Sequence, residues 1–161
     1  MSNSFRQKVF IRAYDPADAE SLIELFRGSV RQIASRDYTQ QQVLAWAPEH
    51  IDLQEWSARR ASRLTWVAKV GVKLVGFIDL EANGNIDMLY VHSDHQRNGI
   101  ARALLQAVME AASAQKLKSV RTESSITARP FFENHGFVIV AKQMVTVRGQ
   151  NFVNFKMERQ L

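Results

Sequence analysis

Between residues 100 and 113 the polar positions are few and regular: Arg102, Gln106, Glu110 and Ser113 recur at helical spacing, and nearly everything between them is apolar. This spacing predicts a helix with one narrow stripe in water. Ile100, Leu104, Ala107, Val108 and Ala111 form its buried face, and Leu105, Met109 and Ala112 widen it, as packing on a sheet requires. Nearer the start, "DPADAESLIELFRGSV" sets Leu22, Ile23, Phe26 and Val30 on one face, with Asp15 as N-cap and Pro16 in the first turn. Two shorter amphipathic helices follow. "YTQQQVLAW" carries a Thr39/Gln42 capping box and is ended by Pro48, and "DLQEWSARRAS" is capped by Asp52 with Glu55 at the third position.

The remaining apolar runs read as strands. "KVFIRAY", "LTWVAKV", "KLVGFIDLE", "IDMLYVH", "SVRTES", "FVIVAKQMVTV" and "FVNFKMER" are punctuated by Gly71, the "ANGN" turn at 82–85 and "RGQN" at 148–151, with "TARPFFENHG" a short helix closed by Gly136. The predicted order is β, helices, βββ, α, β, α, ββ. The passage from "IDMLYVH" through the long helix to "SVRTES" predicts a crossover between parallel strands inside a largely antiparallel sheet. Ligands favour such places. The loop entering the long helix contains Gly99, which forgoes side-chain capping and leaves the backbone open to close approach. First-turn amides without partners, the positive end of the helix dipole, Arg97 and Arg102 make this an end that attracts phosphate.

With 161 residues, 46% hydrophobic and 23% charged, and with no linker, repeat or low-complexity segment, residues 1–161 read as one domain with a sizeable core. No apolar run is long enough to span a bilayer, and "MSNSFRQKVF" lacks a secretory apolar segment, so a cytoplasmic location is expected. Zero cysteines exclude disulfides and thiol chemistry. The net charge of +5 would suit nucleic acid, a membrane surface or a small polyanion. The basic residues are scattered, without a Lys/Arg block or an aromatic ladder, so neither a nucleic-acid nor a membrane partner is expected. "HSDH" at 92–95 stands far in sequence from His50 and His135, and no metal is expected.

Two common phosphate motifs are absent: there is no G-x-x-x-x-G-K-[ST], and "RNGIAR" lacks dinucleotide glycine spacing. What stands here is Gln96-Arg97-Asn98-Gly99-Ile100-Ala101, a Q/R-x-x-G-x-G/A hexapeptide following "LYVH". It resembles the coenzyme A pyrophosphate loop of GNAT N-acetyltransferases. The resemblance extends to "IRAYDPADAESLIELF" and "SITARPFFENHGF", and so covers most of the chain. It implies the acyl-CoA N-acyltransferase fold, an α/β arrangement with a mostly antiparallel central sheet, a splayed parallel strand pair and flanking helices.

The same resemblance implies acetyl transfer from acetyl-CoA to an amine of a small molecule or peptide by direct attack, with no metal. Backbone groups of Leu89, Tyr90 and Val91 would pair with the pantetheine arm, and amides from Arg97 to Arg102 would hold the pyrophosphate. Ser125 and Ala128 match the family's N-x-x-A with serine for asparagine. Phe132 stands where a tyrosine commonly protonates the leaving thiolate, and would pack near the sulfur. An amide near Leu89 is the candidate oxyanion donor. Asp87 is the candidate general base, with Glu81, Glu123, His92 and water as rivals. Tyr38 and Trp46, eight residues apart, are candidates for the acceptor site. The rival function is a non-catalytic acyl-CoA sensor.

Overall fold

The computed structural model describes residues 8–161. The opening "MSNSFRQ", part of the stretch used above to argue against a secretory segment, lies outside the described residues. The elements run β1 (Val9–Ala13), α1 (Ala19–Gln32), α2 (Gln40–Trp46), α3 (Leu53–Ala61), β2 (Leu64–Val70), β3 (Lys73–Leu80), β4 (Asn85–Ile86) and β5 (Leu89–Val91). They continue with α4 (Ile100–Ala114), β6 (Ser119–Ser124), α5 (Arg129–Asn134), β7 (Val138–Val147) and β8 (Gln150–Gln160). The strands pair as two four-stranded sheets, in the orders β1-β2-β3-β5 and β4-β6-β8-β7. Every pairing is antiparallel except β4 with β6.

Local sequence accounts for the helix starts. Thr39 accepts from the Gln42 amide while Gln42 reaches back to the Thr39 amide, and Asp52 accepts from the Glu55 amide. Asp15 and Asp18 form a similar reciprocal box around a 3₁₀ turn at Pro16–Asp18, so α1 itself begins at Ala19, later than the sequence pattern indicates. The turn between β7 and β8 is tighter than "RGQN" implies. Arg148 (φ +46°) and Gly149 (φ +79°) both lie in the left-handed region, which matches the twist of a two-residue hairpin, and Gln150 and Asn151 already belong to β8.

Register divides the first sheet into two faces. Val67, Phe77 and Tyr90 sit opposite one another and point to α1, while Ala68, Gly76 and Val91 point to α4. A Cβ on Gly76 would come within 3.0 Å of Ile100 Cγ2 and 3.2 Å of the Tyr90 carbonyl oxygen, so the missing side chain sets how closely α4 lies on β3. Burial of Ile100, Leu104, Leu105, Val108 and Ala112 follows the helical pattern.

One strand expectation is corrected. "IDMLYVH" is not a single strand: Asn85 and Ile86 pair in parallel with Arg121 and Thr122, the chain breaks step at Asp87–Met88, and Leu89–Val91 pair with β3 instead. The cause lies on β3. Asp79, fully buried, accepts from the amides of both Asp87 and Met88 at 2.9 Å, so a carboxylate supplies partners the ladder would otherwise supply.

Candidate active site

The break at 87–88 opens a cleft. The last rung between the diverging strands is Ile86 opposite Thr122, sealed by Thr122 Oγ1 donating to the Ile86 carbonyl at 3.0 Å. Beyond it lies a cavity of about 710 Å³, bounded by the β5 strand, the start of α4, the end of β6, α5, and one flank each of α1 and α2. This size is within the range of small-molecule and cofactor sites.

Backbone alternation decides what β5 offers to it. The Asp79 backbone amide donates to the Met88 carbonyl at 3.2 Å and the His92 backbone amide donates to the Val75 carbonyl at 2.8 Å, so even-numbered residues of this stretch direct their backbone polar groups at β3. Leu89 and Val91 therefore direct theirs outward, into the cleft that β6 has left. Gln96 Nε2 donates to the Val91 carbonyl at 2.9 Å and lies 3.3 Å from the His92 carbonyl. The Leu89 backbone and the Val91 amide are left to face the cavity.

The loop that follows is shaped by two left-handed residues, Arg97 at φ +61° and Gly99 at φ +77°. At Gly99 a Cβ would meet nothing within 4 Å; glycine is favoured there by its dihedral and by the open space the site needs. The first intrahelical bond of α4 runs from the Ala103 amide to the Gly99 carbonyl at 3.0 Å, leaving the amides of Ile100, Ala101 and Arg102 without partners farther back in the helix. Those amides, the dipole and the wall residues Arg97 and Arg102 converge on one end of the cavity. The donor set fits a pyrophosphate. Asn98, exposed, is not part of the cavity wall.

Opposite this loop, Ser125 Oγ accepts from the Ala128 amide at 3.0 Å and so initiates α5. Phe132, 3% exposed, packs edge-on to Phe131 and Phe137 and shows one side to the cavity, where it offers no proton. Trp46 and Tyr90 line the flank of the cavity toward α1 and α2, with the indole Nε1 donating to the Tyr90 hydroxyl at 3.0 Å. Burial pushes the Tyr90 phenol well above its ordinary value, so it stays protonated. Tyr38 does not reach the cavity wall, which corrects its assignment to the acceptor site. It packs behind Trp46 with ring centroids 5.4 Å apart, and its buried hydroxyl accepts from the Ile126 amide at 2.9 Å, tying α2 to the turn before α5.

Of the four candidate bases, the cavity reaches two. Asp87 and Glu123 are the first residues past the last rung, one on each diverging strand. Glu81 lies away from the wall, bonded to Asn85 and ion-paired with Arg63. His92 faces a separate cavity, and its Nδ1 accepts from the Asp94 amide; burial, with Lys73 nearby, lowers its pKa. Asp87 itself belongs to a charge cluster not foreseen from sequence. Arg60 of α3 and Asp79 are fully buried and joined at 2.9 Å, and Arg60 and Arg63 lie 3.4 Å and 3.2 Å from the Asp87 carboxylate. The one sequence signal for this cluster is an aspartate inside the otherwise apolar "LVGFIDL". Among the described residues no group of three or more His, Asp or Glu side chains is placed to hold a metal ion.

Comparison with known proteins agrees with this geometry. Residues 34–159 match the family model described as an acetyltransferase (GNAT) domain. The chain is 40% identical over 147 residues to the uncharacterized N-acetyltransferase YafP of Escherichia coli K12, covering 91% of this chain and 93% of that one. A GCN5-related N-acetyltransferase structure from Rhodopseudomonas palustris superposes with a TM-score of 0.91 at 31% identity, over 94% of this chain and 95% of that one. The PaiA N-acetyltransferase of Thermoplasma acidophilum, solved in complex with coenzyme A, shares the fold with a TM-score of 0.80 at 20% identity, over 96% and 99%. The chain belongs to the GNAT family of acetyl-CoA-dependent N-acetyltransferases.

Proposed function

We propose that the cavity between β5 and β6 brings acetyl-CoA and a primary amine together, with the coenzyme along the Leu89–Arg102 side and the amine between Trp46 and the diverging strands. The observation that carries this reading is the pairing of an outward-facing β5 backbone with the unpartnered first-turn amides of α4. When bound, the coenzyme supplies the activated acetyl group. The chain supplies the rest. Leu89 and Val91 provide strand-like partners for an extended, amide-bearing arm, and the Ile100–Arg102 amides with Arg97 and Arg102 take the phosphates. An outward amide on β5 serves as donor for charge developing on the acetyl oxygen.

Proton handling falls to groups at the cleft. Asp87 and Glu123 stand where an incoming ammonium must shed a proton, directly or through water. The departing sulfur gains its proton from water or a cavity hydroxyl, Tyr90 or Ser125, because Phe132 has none. A non-catalytic sensor role is not favoured, because the whole transferase framework is present and the family is one of enzymes. Calorimetry with acetyl-CoA, followed by thiol release across an amine panel, tests the reading. Binding with release for at least one amine is expected. Absence of acetyl-CoA binding would overturn it.

A further inference from the structure

The charged residues of the cavity wall are segregated. Arg97 and Arg102 stand at the α4 end, and Asp87 and Glu123 stand at the strand split. The wall between the split and α1 is mostly apolar, formed by Val30 of α1, Ile33 and Ala34 just beyond it and the indole of Trp46, with Ser29 the one polar residue contributed by α1. Phosphates consume the cationic end, so an acceptor meets carboxylates and hydrocarbon. Behind the split the local charge remains negative: Asp79, Glu81 and Asp87 face Arg60 and Arg63, three carboxylates to two guanidiniums. Glu123 makes no ion pair among the described residues, although Lys156 stands opposite it on β8.

Resting on the transferase reading above, we infer that the acceptor is a primary amine on an apolar body with no carboxylate beside the nitrogen. Two physical requirements select it. An ammonium is drawn to the split by Asp87 and Glu123, whereas a carboxylate on the adjacent carbon would be held against both of them in a partly enclosed site. The apolar wall returns binding energy only to a body that gives up its hydration there. Discrimination against α-amino acids thus comes from repulsion built into the wall as well as from attraction to the amine.

The test uses matched compounds with the full-length protein and acetyl-CoA, reading free thiol. 2-Phenylethylamine is compared with phenylalanine and with phenylalanine amide, and 3-methylbutylamine with leucine and leucine amide. For each amine kcat/KM is expected to exceed that of its carboxylate counterpart by at least about tenfold, with the neutral amides closer to the amines. In Glu123→Gln the ratio of amine to carboxylate narrows, and a ratio is insensitive to any loss of rate common to both. Equal use of amine and carboxylate overturns the inference, and so do amides as poor as the acids, since bulk rather than charge would then decide. Release with spermidine or a peptide amino terminus, but with none of these compounds, overturns the apolar body while leaving the transferase reading intact. Acetyl-CoA binding with no release for any of these amines overturns both.

Discussion

Asp79 holds two consecutive amides with one carboxylate oxygen and Arg60 with the other, and so fixes the step at which the chain leaves β6 for β3. Burial pushes its pKa from 3.8 up to about 6, against the pull of Arg60 and the two amides. Because the folded value is the higher, the native state binds this proton more tightly than the unfolded chain does. The residue's own contribution to stability therefore declines as pH rises from 3.8 to about 6, and is level above that. Asp79→Asn should lose that dependence and, near pH 7, be less stable by about 3 kcal/mol, because buried Arg60 loses its 2.9 Å partner and keeps only the 3.4 Å contact with Asp87. Thermal unfolding of both proteins from pH 4 to pH 8 checks this; parallel curves would refute it. At the proposed acceptor side, Trp46→Leu keeps most of the apolar volume but removes the donor to Tyr90. It should raise the acceptor KM several-fold and leave acetyl-CoA affinity unchanged in calorimetry, whereas a variant that loses only stability would return Trp46 to a packing role. Phe132→Tyr restores a hydroxyl at the cavity wall and should bind acetyl-CoA normally. Its kcat should change modestly, well short of the roughly 10²- to 10⁴-fold typical of a required acid, because a thiolate is a good leaving group.

Among the elements, those with a strong period were readable and those set by a remote side chain were not. The long helix α4 and its wet stripe follow from the spacing of Arg102, Gln106 and Glu110, and the capping boxes follow from residues three apart. The split of β4 from β5 was invisible in "IDMLYVH" because its cause is a carboxylate on another strand, and Arg60 looked like one more scattered surface cation before α3 packed it against Asp79. Tyr38 does pack beside Trp46 although it precedes the Thr39 cap, but it sits behind the indole rather than on the cavity wall, a depth that helical spacing does not encode. Two glycines place α4. Gly76 admits it to the sheet, and Gly76→Ala should destabilise by about 1–3 kcal/mol, since the methyl meets the Tyr90 backbone as well as two side chains. Gly99 has open space but a positive φ, so Gly99→Glu should fold with a modest loss of stability and bind acetyl-CoA far more weakly, as a negative side chain then stands at the positive end of the helix. Unfolding midpoints and calorimetry on the two variants separate the roles, and unchanged affinity in folded Gly99→Glu would remove the loop from the coenzyme site.

At the scale of the whole molecule, the sequence pattern predicted a parallel crossover inside one largely antiparallel sheet and the family resemblance implied that the parallel pair splays, and the chain realises this as two sheets that share a single backbone across Asp87–Met88. The parallel contact is only two residues long, so its loss after Ile86 leaves the inner edge of β5 without a strand partner, with only the Val91 carbonyl taken up by Gln96. An unpaired edge inside a folded protein is tolerable when water or a ligand satisfies it. Here the edge and the α4 terminus line the same cavity, and on the proposal above the incomplete sheet is the surface that takes the coenzyme. The consequence is measurable amide by amide. Tyr90 and His92 lie on the side of β5 that bonds to β3, and their amides should exchange slowly with solvent whether or not ligand is present. Leu89 and Val91 lie on the other side, and their amides should exchange fast in the free protein and slow by an order of magnitude or more when acetyl-CoA is added, as a strand-like partner completes the edge. The amides of Ile100, Ala101 and Arg102 should slow together with them if phosphates occupy the helix terminus. Hydrogen exchange followed by NMR resolves this odd and even alternation, which general rigidification on binding would not produce. Uniform slowing across residues 89–92, or protection at Leu89 and Val91 before any ligand is added, would place the coenzyme arm somewhere other than along β5.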